Sequence, residues 1–161
     1  MALLLRTVDK HYRWFKNEAA PFLENDDSPA DPIADLRTDR NRLSVYVISE
    51  DKSNLERIVR AIAVGRQKID HAAYVVFDSK VLEEAGIEIE EVAGTTSDSG
   101  VNSWHRDLVL SGKKLAALAK GILRDGEEVR QILKLRMAEL VEQGIRDGQL
   151  PEDVREKLKK R

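Results

Sequence analysis

Two continuous apolar runs give the clearest structural signal in the amino-acid sequence. Residues 43–48 and 72–77 are rich in β-branched and aromatic side chains and carry almost no polar positions. Because a strand covered on both faces has no solvent-facing positions, such runs are typical of buried strands. Apolar and acidic residues alternate over residues 87–92 instead, which predicts a half-exposed strand at a sheet edge. Residues 3–8 predict a further short strand.

Helical periodicity follows each of the two buried runs. Residues 53–56 have the form of a capping box, in which Ser53 and Glu56 each accept a hydrogen bond from the other's backbone amide. The residues after Ser53 repeat apolar positions at the i, i+3, i+4, i+7 spacing of a helix with one buried face. That face consists of Leu55, Ile58, Val59 and Ile62. A shorter helix is predicted over residues 80–85, with Gly86 at its end.

The order strand, helix, strand, helix, strand predicts an α/β fold. Crossovers of this kind are right-handed and return the chain parallel to the preceding strand, so we expect a small parallel sheet with flanking helices. The link between the second and third core strands barely supplies the dozen or so residues that a parallel return requires. The third strand could therefore run antiparallel, which would make the sheet mixed. We expect about three to five strands, as is usual for sheets of this kind.

The last third of the chain is predicted to be a C-terminal helical tail. Ser111 can cap one helix, a second has its apolar face between Val129 and Val141, and Pro151 suits the first turn of a last short helix. We therefore expect an α/β domain over residues 1–110 and a helical segment over residues 111–161 that packs on the same domain. Residues 24–42 are acidic and contain prolines, which is typical of an irregular exposed loop.

Composition and charge narrow the classes of partner and compartment. The 27 basic and 29 acidic residues leave a formal charge of −2, so no net field draws the chain to nucleic acid or anionic lipid. Acidic residues are in excess before Lys113 and basic residues from Lys113 onward. A solvated helix face explains this most simply, although it could also favour pairing with another protein or with a second copy. The chain has no cysteine and no apolar stretch long enough for a signal peptide or a membrane span. We therefore expect a cytoplasmic protein.

The polar segment 95–107 is the strongest candidate for a functional site. It follows the third predicted strand, and ligands of open α/β sheets bind at the carboxyl ends of parallel strands. His105 is the candidate catalytic residue, because imidazole exchanges a proton near neutral pH and could activate a nearby serine or threonine hydroxyl. The candidate ligand-binding residues in the same segment are Thr95, Asp98, Asn102, Trp104 and Arg106. A second interpretation makes residues 101–108 a helical turn that places Trp104 on the core.

No motif in the chain identifies a metal or a cofactor. Phosphate-binding glycine loops and the Gly-x-Ser-x-Gly nucleophile elbow are missing from the sequence, and no two histidines have the spacing of metal ligands. Four carboxylates at predicted strand ends could bind magnesium if they converged, although helix capping and solvation explain them more simply. They are Glu50, Asp51, Asp78 and Asp98. We assign no metal ligand and leave the cofactor open.

These observations favour a small interaction or regulatory module that binds another protein or itself. The reasons are that every enzyme motif sought is missing and that the tail and the body differ in charge. A hydrolase or phosphate-handling enzyme that uses residues 95–107 and His105 is the first alternative. Nucleic-acid binding through the basic C-terminal helices is the second, and it predicts a strong salt dependence of affinity.

Overall fold

The computed structural model describes residues 2–160, in which a six-stranded sheet carries helices on both of its faces. The strands are β1 (Leu3–Val8), β2 (Arg42–Ile48), β3 (Ala72–Asp78), β4 (Glu88–Glu91), β5 (His105–Val109) and β6 (Arg130–Ile132). The α-helices are α1 (Lys16–Glu24), α2 (Ala30–Asp35), α3 (Leu55–Ala63), α4 (Lys80–Ala85), α5 (Ser99–Asn102), α6 (Gly112–Asp125), α7 (Lys134–Arg146) and α8 (Arg155–Lys159). None of these helices is long and apolar enough to cross a lipid bilayer.

Every neighbouring pair of strands in the sheet is antiparallel, and the strand order is β4-β5-β2-β1-β3-β6. The predicted combination of helices and a sheet is confirmed, but the predicted parallel or mixed arrangement is wrong. β2, β3 and β4 do run in one direction, as the crossovers require. They are not neighbours, because β1 lies between β2 and β3 while β5 lies between β2 and β4. The inserted strands turn a parallel series into an antiparallel sheet.

Two apolar cores lie between the sheet and its two helical layers. Leu5 and Val76 belong to the core that includes α3, α5 and α7, whereas Leu4 and Phe77 belong to the core that includes α1, α4 and α6. Successive strand residues point to opposite faces, so a strand inside this sheet needs apolar side chains at every position. That requirement explains the continuous apolar run of β3, in which residues 72–77 are all buried.

Residues 24–42 do not form the irregular loop that their acidity predicted. They contain α2, and Asp35 at its end is almost completely buried. The Asp35 carboxylate accepts hydrogen bonds of 2.9 Å from the Trp14 indole and from the backbone amide of Asp9. The segment ends in a two-residue turn in which Arg40 and Asn41 have φ angles of 52° and 62°. This turn leads into β2 and places Arg40 beside one half of the sheet.

β6 replaces the beginning of the helix that the sequence predicted between Val129 and Val141. Arg130–Ile132 pair with β3 at the sheet edge, and α7 begins only at Lys134. The helical prediction is confirmed for α6, where the Ser111 hydroxyl accepts a hydrogen bond of 3.2 Å from the Lys114 amide. α6 packs on one face of the sheet and α7 on the other. The C-terminal third therefore contributes to both helical layers and to the sheet itself.

Candidate functional site

The loop between β4 and β5 is held together by the side chain of Asn102. The Asn102 Oδ1 atom accepts hydrogen bonds from the Thr96 amide at 2.8 Å and from the Thr96 hydroxyl at 2.7 Å, and its Nδ2 atom donates to the Thr96 carbonyl at 3.1 Å. An amide has two donors and two acceptor lone pairs, so these contacts use most of its capacity. Asn102 was predicted to bind a ligand, and in the structure its polar groups contact the backbone and hydroxyl of Thr96 in the same loop.

Asp98, a second predicted ligand-binding residue, is buried and faces the helices. Its carboxylate accepts two hydrogen bonds of 2.8 Å from Arg57 and one of 3.3 Å from Arg60, and it caps α5 through the Gly100 amide at 3.1 Å. Burial acts to raise the pKa of Asp98, but the hydrogen bonds and charges of Arg57 and Arg60 outweigh it, and the pKa lies below the ordinary value. Asp98 is therefore an ionised anchor between the loop and α3.

Trp104 and Arg106 also make their contacts within the protein. The Arg57 guanidinium lies 5.6 Å from the centre of the Trp104 ring, in a cation–π contact, and Trp104 packs against the core below α3. The second interpretation placed Trp104 on the core, as the structure does, but its helical turn over residues 101–108 is wrong, because His105–Val109 form β5. Arg106 donates to the carbonyl groups of Ser103 and His105 at 3.0 and 2.8 Å. Arg106 lies next to His105 in β5, so its side chain points to the opposite face of the sheet.

His105 has a different environment from the rest of the loop, because it joins a cluster on the sheet face. Its Nδ1 atom lies 2.6 Å from the Val92 carbonyl oxygen and its Nε2 atom lies 3.0 Å from the Ser44 hydroxyl. The Asp107 carboxylate is 3.4 Å from the same Nε2 atom, and the Tyr46 ring meets the imidazole edge-on at 5.3 Å between centroids. Register produces this cluster: Tyr46 faces His105 and Ser44 faces Asp107 across β2 and β5.

The Val92 carbonyl fixes the tautomer of His105. A carbonyl oxygen only accepts hydrogen bonds, so Nδ1 must carry the proton in this contact, which leaves Nε2 of the neutral ring as an acceptor. The Ser44 hydroxyl is then the donor toward Nε2. This is the arrangement of a nucleophile and its general base, with a backbone carbonyl in the orienting position. Asp107 adds a negative charge beside the nitrogen that would receive the proton.

The cluster opens into a cleft of about 370 Å³ on the face of the sheet. His105 and Thr95 are the two predicted site residues that line it, so the structure separates them from Asp98, Asn102, Trp104 and Arg106. The cleft is lined by Asp39, Arg40, Arg42, Ser44, Tyr46, Val92, Ala93, Gly94, Thr95, His105 and Asp107. The volume is within the range of about 300–1,000 Å³ that is usual for sites of small molecules.

Two arginines and two aspartates line the cleft, so its formal charges balance, and the exposed cation at its rim is Arg40. Arg42 is 3.4 Å from Glu90, which partly neutralises it, while Arg40 stands exposed at the tip of the Arg40-Asn41 turn. Burial, the largest cause, raises the pKa of Tyr46, so the phenol stays protonated at neutral pH. The cleft therefore offers cationic and hydroxyl donors to a ligand, next to a histidine that can move a proton.

Ser44, Tyr46 and Arg40 are cleft residues that the sequence did not identify as site candidates. Ser44 is the one polar residue inside the apolar run 43–48, and that break in the pattern was the available signal. Its distance of 61 positions from His105 along the chain concealed the partnership. Arg40 lies in the segment that was predicted to be an irregular loop.

The magnesium hypothesis gains no support from the positions of the carboxylates. Within residues 2–160, no group of three or more histidines and carboxylates lies close enough to hold a metal ion. Asp78 accepts a hydrogen bond from the Lys80 amide at 2.9 Å, and Asp51 accepts one from the Ser53 amide at 3.0 Å. These two residues close turns after their strands.

Comparison of the chain with protein-family models, with curated proteins and with solved structures found no match.

Proposed function

We propose that this protein is a hydrolase that cleaves small esters carrying an anionic group, with Ser44 as nucleophile and His105 as general base. The observation that carries the proposal is the two-sided contact of His105. Its Nε2 atom is 3.0 Å from the Ser44 hydroxyl while its Nδ1 atom is 2.6 Å from the Val92 carbonyl. Reactive serines require a base within hydrogen-bond reach that is itself oriented by a third group, and these distances meet both conditions.

The proposed reaction follows from the positions of these groups. The Ser44 oxygen attacks the carbonyl carbon of the ester while its proton passes to Nε2 of His105. Asp107, 3.4 Å from Nε2, stabilises the imidazolium ion that forms. His105 then returns the proton to the alkoxide leaving group as the acyl-enzyme forms. A water molecule, deprotonated by His105, releases the acid and restores the Ser44 hydroxyl.

The exposed guanidinium of Arg40 at the rim supports the choice of substrate. Guanidinium groups bind carboxylates and phosphates through paired hydrogen bonds, and Arg40 and Arg42 both line the cleft. The anionic group of the substrate would lie on these arginines, with the ester directed toward Ser44. Neutral esters of the same size lack this contact, so we expect a higher KM for them.

The direct test is covalent labelling with a fluorophosphonate, which reacts with activated serine hydroxyls. Mass spectrometry of the labelled chain should locate the adduct on Ser44, and Ser44→Ala and His105→Gln should abolish it. Ser97→Ala is the matched control, because Ser97 is an exposed serine of the loop between β4 and β5 that does not line the cleft. A folded wild-type chain that takes no label on Ser44 would refute the proposal.

Steady-state kinetics of ester hydrolysis test the proposal independently of the covalent label. A panel of p-nitrophenyl carboxylic esters and phosphate esters, with and without a second anionic group, distinguishes acyl from phosphoryl substrates. We expect kcat to fall by about 10²-fold or more in His105→Gln, since general base catalysis contributes on that order. Circular dichroism of each variant separates loss of chemistry from loss of fold. Activity that survives in Ser44→Ala would exclude Ser44 as the nucleophile.

Nucleic-acid binding through the C-terminal helices has less support from the geometry. Several basic side chains there are engaged within the protein: Arg155 donates to Glu142 at 2.7 Å, Arg136 to Glu56 at 2.9 Å, and Lys157 to the Val64 carbonyl at 2.6 Å. Phosphate groups would have to compete with these contacts. A titration with labelled single-stranded and duplex DNA at two salt concentrations tests this alternative, and affinity that does not change with salt would exclude it.

A further inference from the structure

β6 is an edge strand whose outer side faces no other strand within residues 2–160. Arg130 and Gln131 are exposed, and Leu133, directly after the strand, is 62% exposed. Leu133 keeps an extended backbone, with φ −76° and ψ 161°, before α7 begins. An edge that combines available backbone groups with an exposed apolar side chain is a template for pairing with a further strand.

The sequence around Gln131 is complementary to itself in the antiparallel direction. If a two-fold axis passes through Gln131, Glu128 of one copy faces Lys134 of the other and Val129 faces Leu133. A two-fold axis repeats each contact: Glu128 of the first copy faces Lys134 of the second, and Glu128 of the second faces Lys134 of the first. These four residues flank β6, and opposite charges and apolar pairs that face each other across such a contact stabilise the pairing.

Val129, one member of the apolar pair at this edge, also lines a cleft on the same molecule. Val129 packs against the core below α6, and together with Phe15 it lines a cleft of about 360 Å³. Phe15 is 42% exposed there. Leu133 of a second copy would lie over Val129 and next to this cleft, so the contact covers side chains that the isolated chain leaves in water.

The opposite edge of the sheet has none of this complementarity. β4 has the sequence Glu88-Ile89-Glu90-Glu91, so a second copy there would bring carboxylates to both sides of the contact. Like charges that face each other destabilise a strand pair, and charged residues on an edge strand are a common protection against association. The two edges therefore differ in a way that selects β6 for self-association.

We propose that the chain forms a two-fold homodimer in which the β6 strands of two copies pair antiparallel around Gln131. The sheet then continues from one copy into the other. The dimer leaves the His105 cleft exposed on the far half of each sheet, since the cleft is built on β2 and β5. This inference does not depend on the proposed hydrolase activity, and either can fail without the other.

Reversing the charge of Lys134 or Glu128, and then of both, tests whether these two residues face each other across the proposed dimer. Lys134→Glu places like charges at both ends of the paired strands, and so does Glu128→Lys. Light scattering coupled to size-exclusion chromatography should show a dimer for the wild type at micromolar concentrations and a monomer for each single variant. The double variant with both changes should restore the dimer, because the opposite charges face each other again. Lys113→Glu, an equal charge change at the start of α6, is the control and should stay dimeric.

A cysteine at the axis tests the same contact without charge. The chain contains no cysteine, so Gln131→Cys introduces a single thiol that can form a disulfide only with a second copy. Facing residues of an antiparallel pair have Cβ atoms about 4.5–5.5 Å apart, within reach of a disulfide after slight adjustment. Under mild oxidation we expect rapid cross-linking of Gln131→Cys and little of the exposed control Gln67→Cys. A wild-type chain that is monomeric at all these concentrations, or equal cross-linking of the two variants, overturns the proposal.

Discussion

The guanidinium of Arg60 and the carboxylate of Asp98 form an ion pair of 3.3 Å in which both side chains are almost completely buried, with exposed fractions of 4% and 1%. Arg60 also donates to the Leu140 carbonyl at 3.1 Å and to the side chain of Gln149. One cation thus joins the loop between β4 and β5 to α7 and to the turn after it. The loop that holds His105 in place is connected to the C-terminal helices through this pair.

Asp98→Ala should destabilise the fold severely. Removal of one partner leaves the buried charge of Arg60 uncompensated, and such losses amount to about 3–5 kcal/mol. Urea unfolding followed by circular dichroism measures the free energy of unfolding of wild type and variant. Glu84→Ala removes an exposed carboxylate that pairs with Lys80 on the surface of α4, and it should change stability little. Similar losses in the two variants would contradict the structural role of Asp98.

The contribution of Asp98 to stability should disappear in acid. The pKa of Asp98 in the folded protein lies below its ordinary value of 3.8, so the folded state is favoured by the ionised carboxylate at every pH above that value. The contribution falls as the pH drops below 3.8 and is lost once the pH passes the lower folded pKa. The difference in unfolding free energy between wild type and Asp98→Asn should be constant near neutral pH and shrink in acid. A difference independent of pH would mean that another group dominates.

Gly144→Ala should destabilise the protein through Arg60. A methyl group at Gly144 would lie 2.8 Å from Cδ1 of Leu150 and 2.9 Å from Cζ of Arg60, and both distances are too short for ordinary contact. Overpacking of this kind costs about 1–3 kcal/mol. Gly112→Ala is the control, because nothing lies within 4 Å of an added Cβ at the start of α6. Thermal unfolding of the two variants checks the contrast, and a Gly144→Ala protein as stable as Gly112→Ala would contradict it.

Arg40→Gly should stabilise the fold while it weakens substrate binding. Arg40 has a φ of 52°, in the left-handed region that costs a residue with a side chain roughly 1–2 kcal/mol and costs glycine little. Its guanidinium lines the proposed anion site, so the variant should raise KM for anionic esters and leave kcat unchanged. Asn41→Gly, the neighbouring change in the same turn, should gain stability without the effect on KM. Equal KM values in both variants would remove Arg40 from the proposed site.

Local elements such as β3 and α3 were predictable, because their signals lie in neighbouring residues. The apolar run of β3 follows from burial on both faces of the strand. The helical spacing of α3 follows from burial of one face of the helix. By contrast, α2 and β5 lie in segments whose polar residues did not predict them. The strand order was not predictable in the same way, because it depends on the pairing of Leu5 with both Tyr46 and Val76, which are far from it in the chain. β6 was missed because a strand of three residues is too short to show an alternation.

The sequence identified a residue of the candidate site only where a polar side chain of the folded protein still faces the cleft. His105 stood out as a titratable residue in a polar loop, and it lines the cleft. Asp98 and Asn102 had the same polar character, but their hydrogen bonds go to Arg57 and to Thr96 inside the protein. Sequence alone does not separate polar groups that stabilise a loop from those that remain for a ligand, because the partners become neighbours only in the folded chain.

The position of β1 in the middle of the sheet makes the fold dependent on residues 3–8. β1 is the only strand of residues 2–160 that joins β2 to β3, so without it the sheet would divide into a half with β4, β5 and β2 and a half with β3 and β6. The first half carries the His105 cleft and the second carries the self-complementary edge. Release of this one strand would therefore uncouple the two surfaces, and a tag or a cleavage that disturbs residues 3–8 would act on both at once.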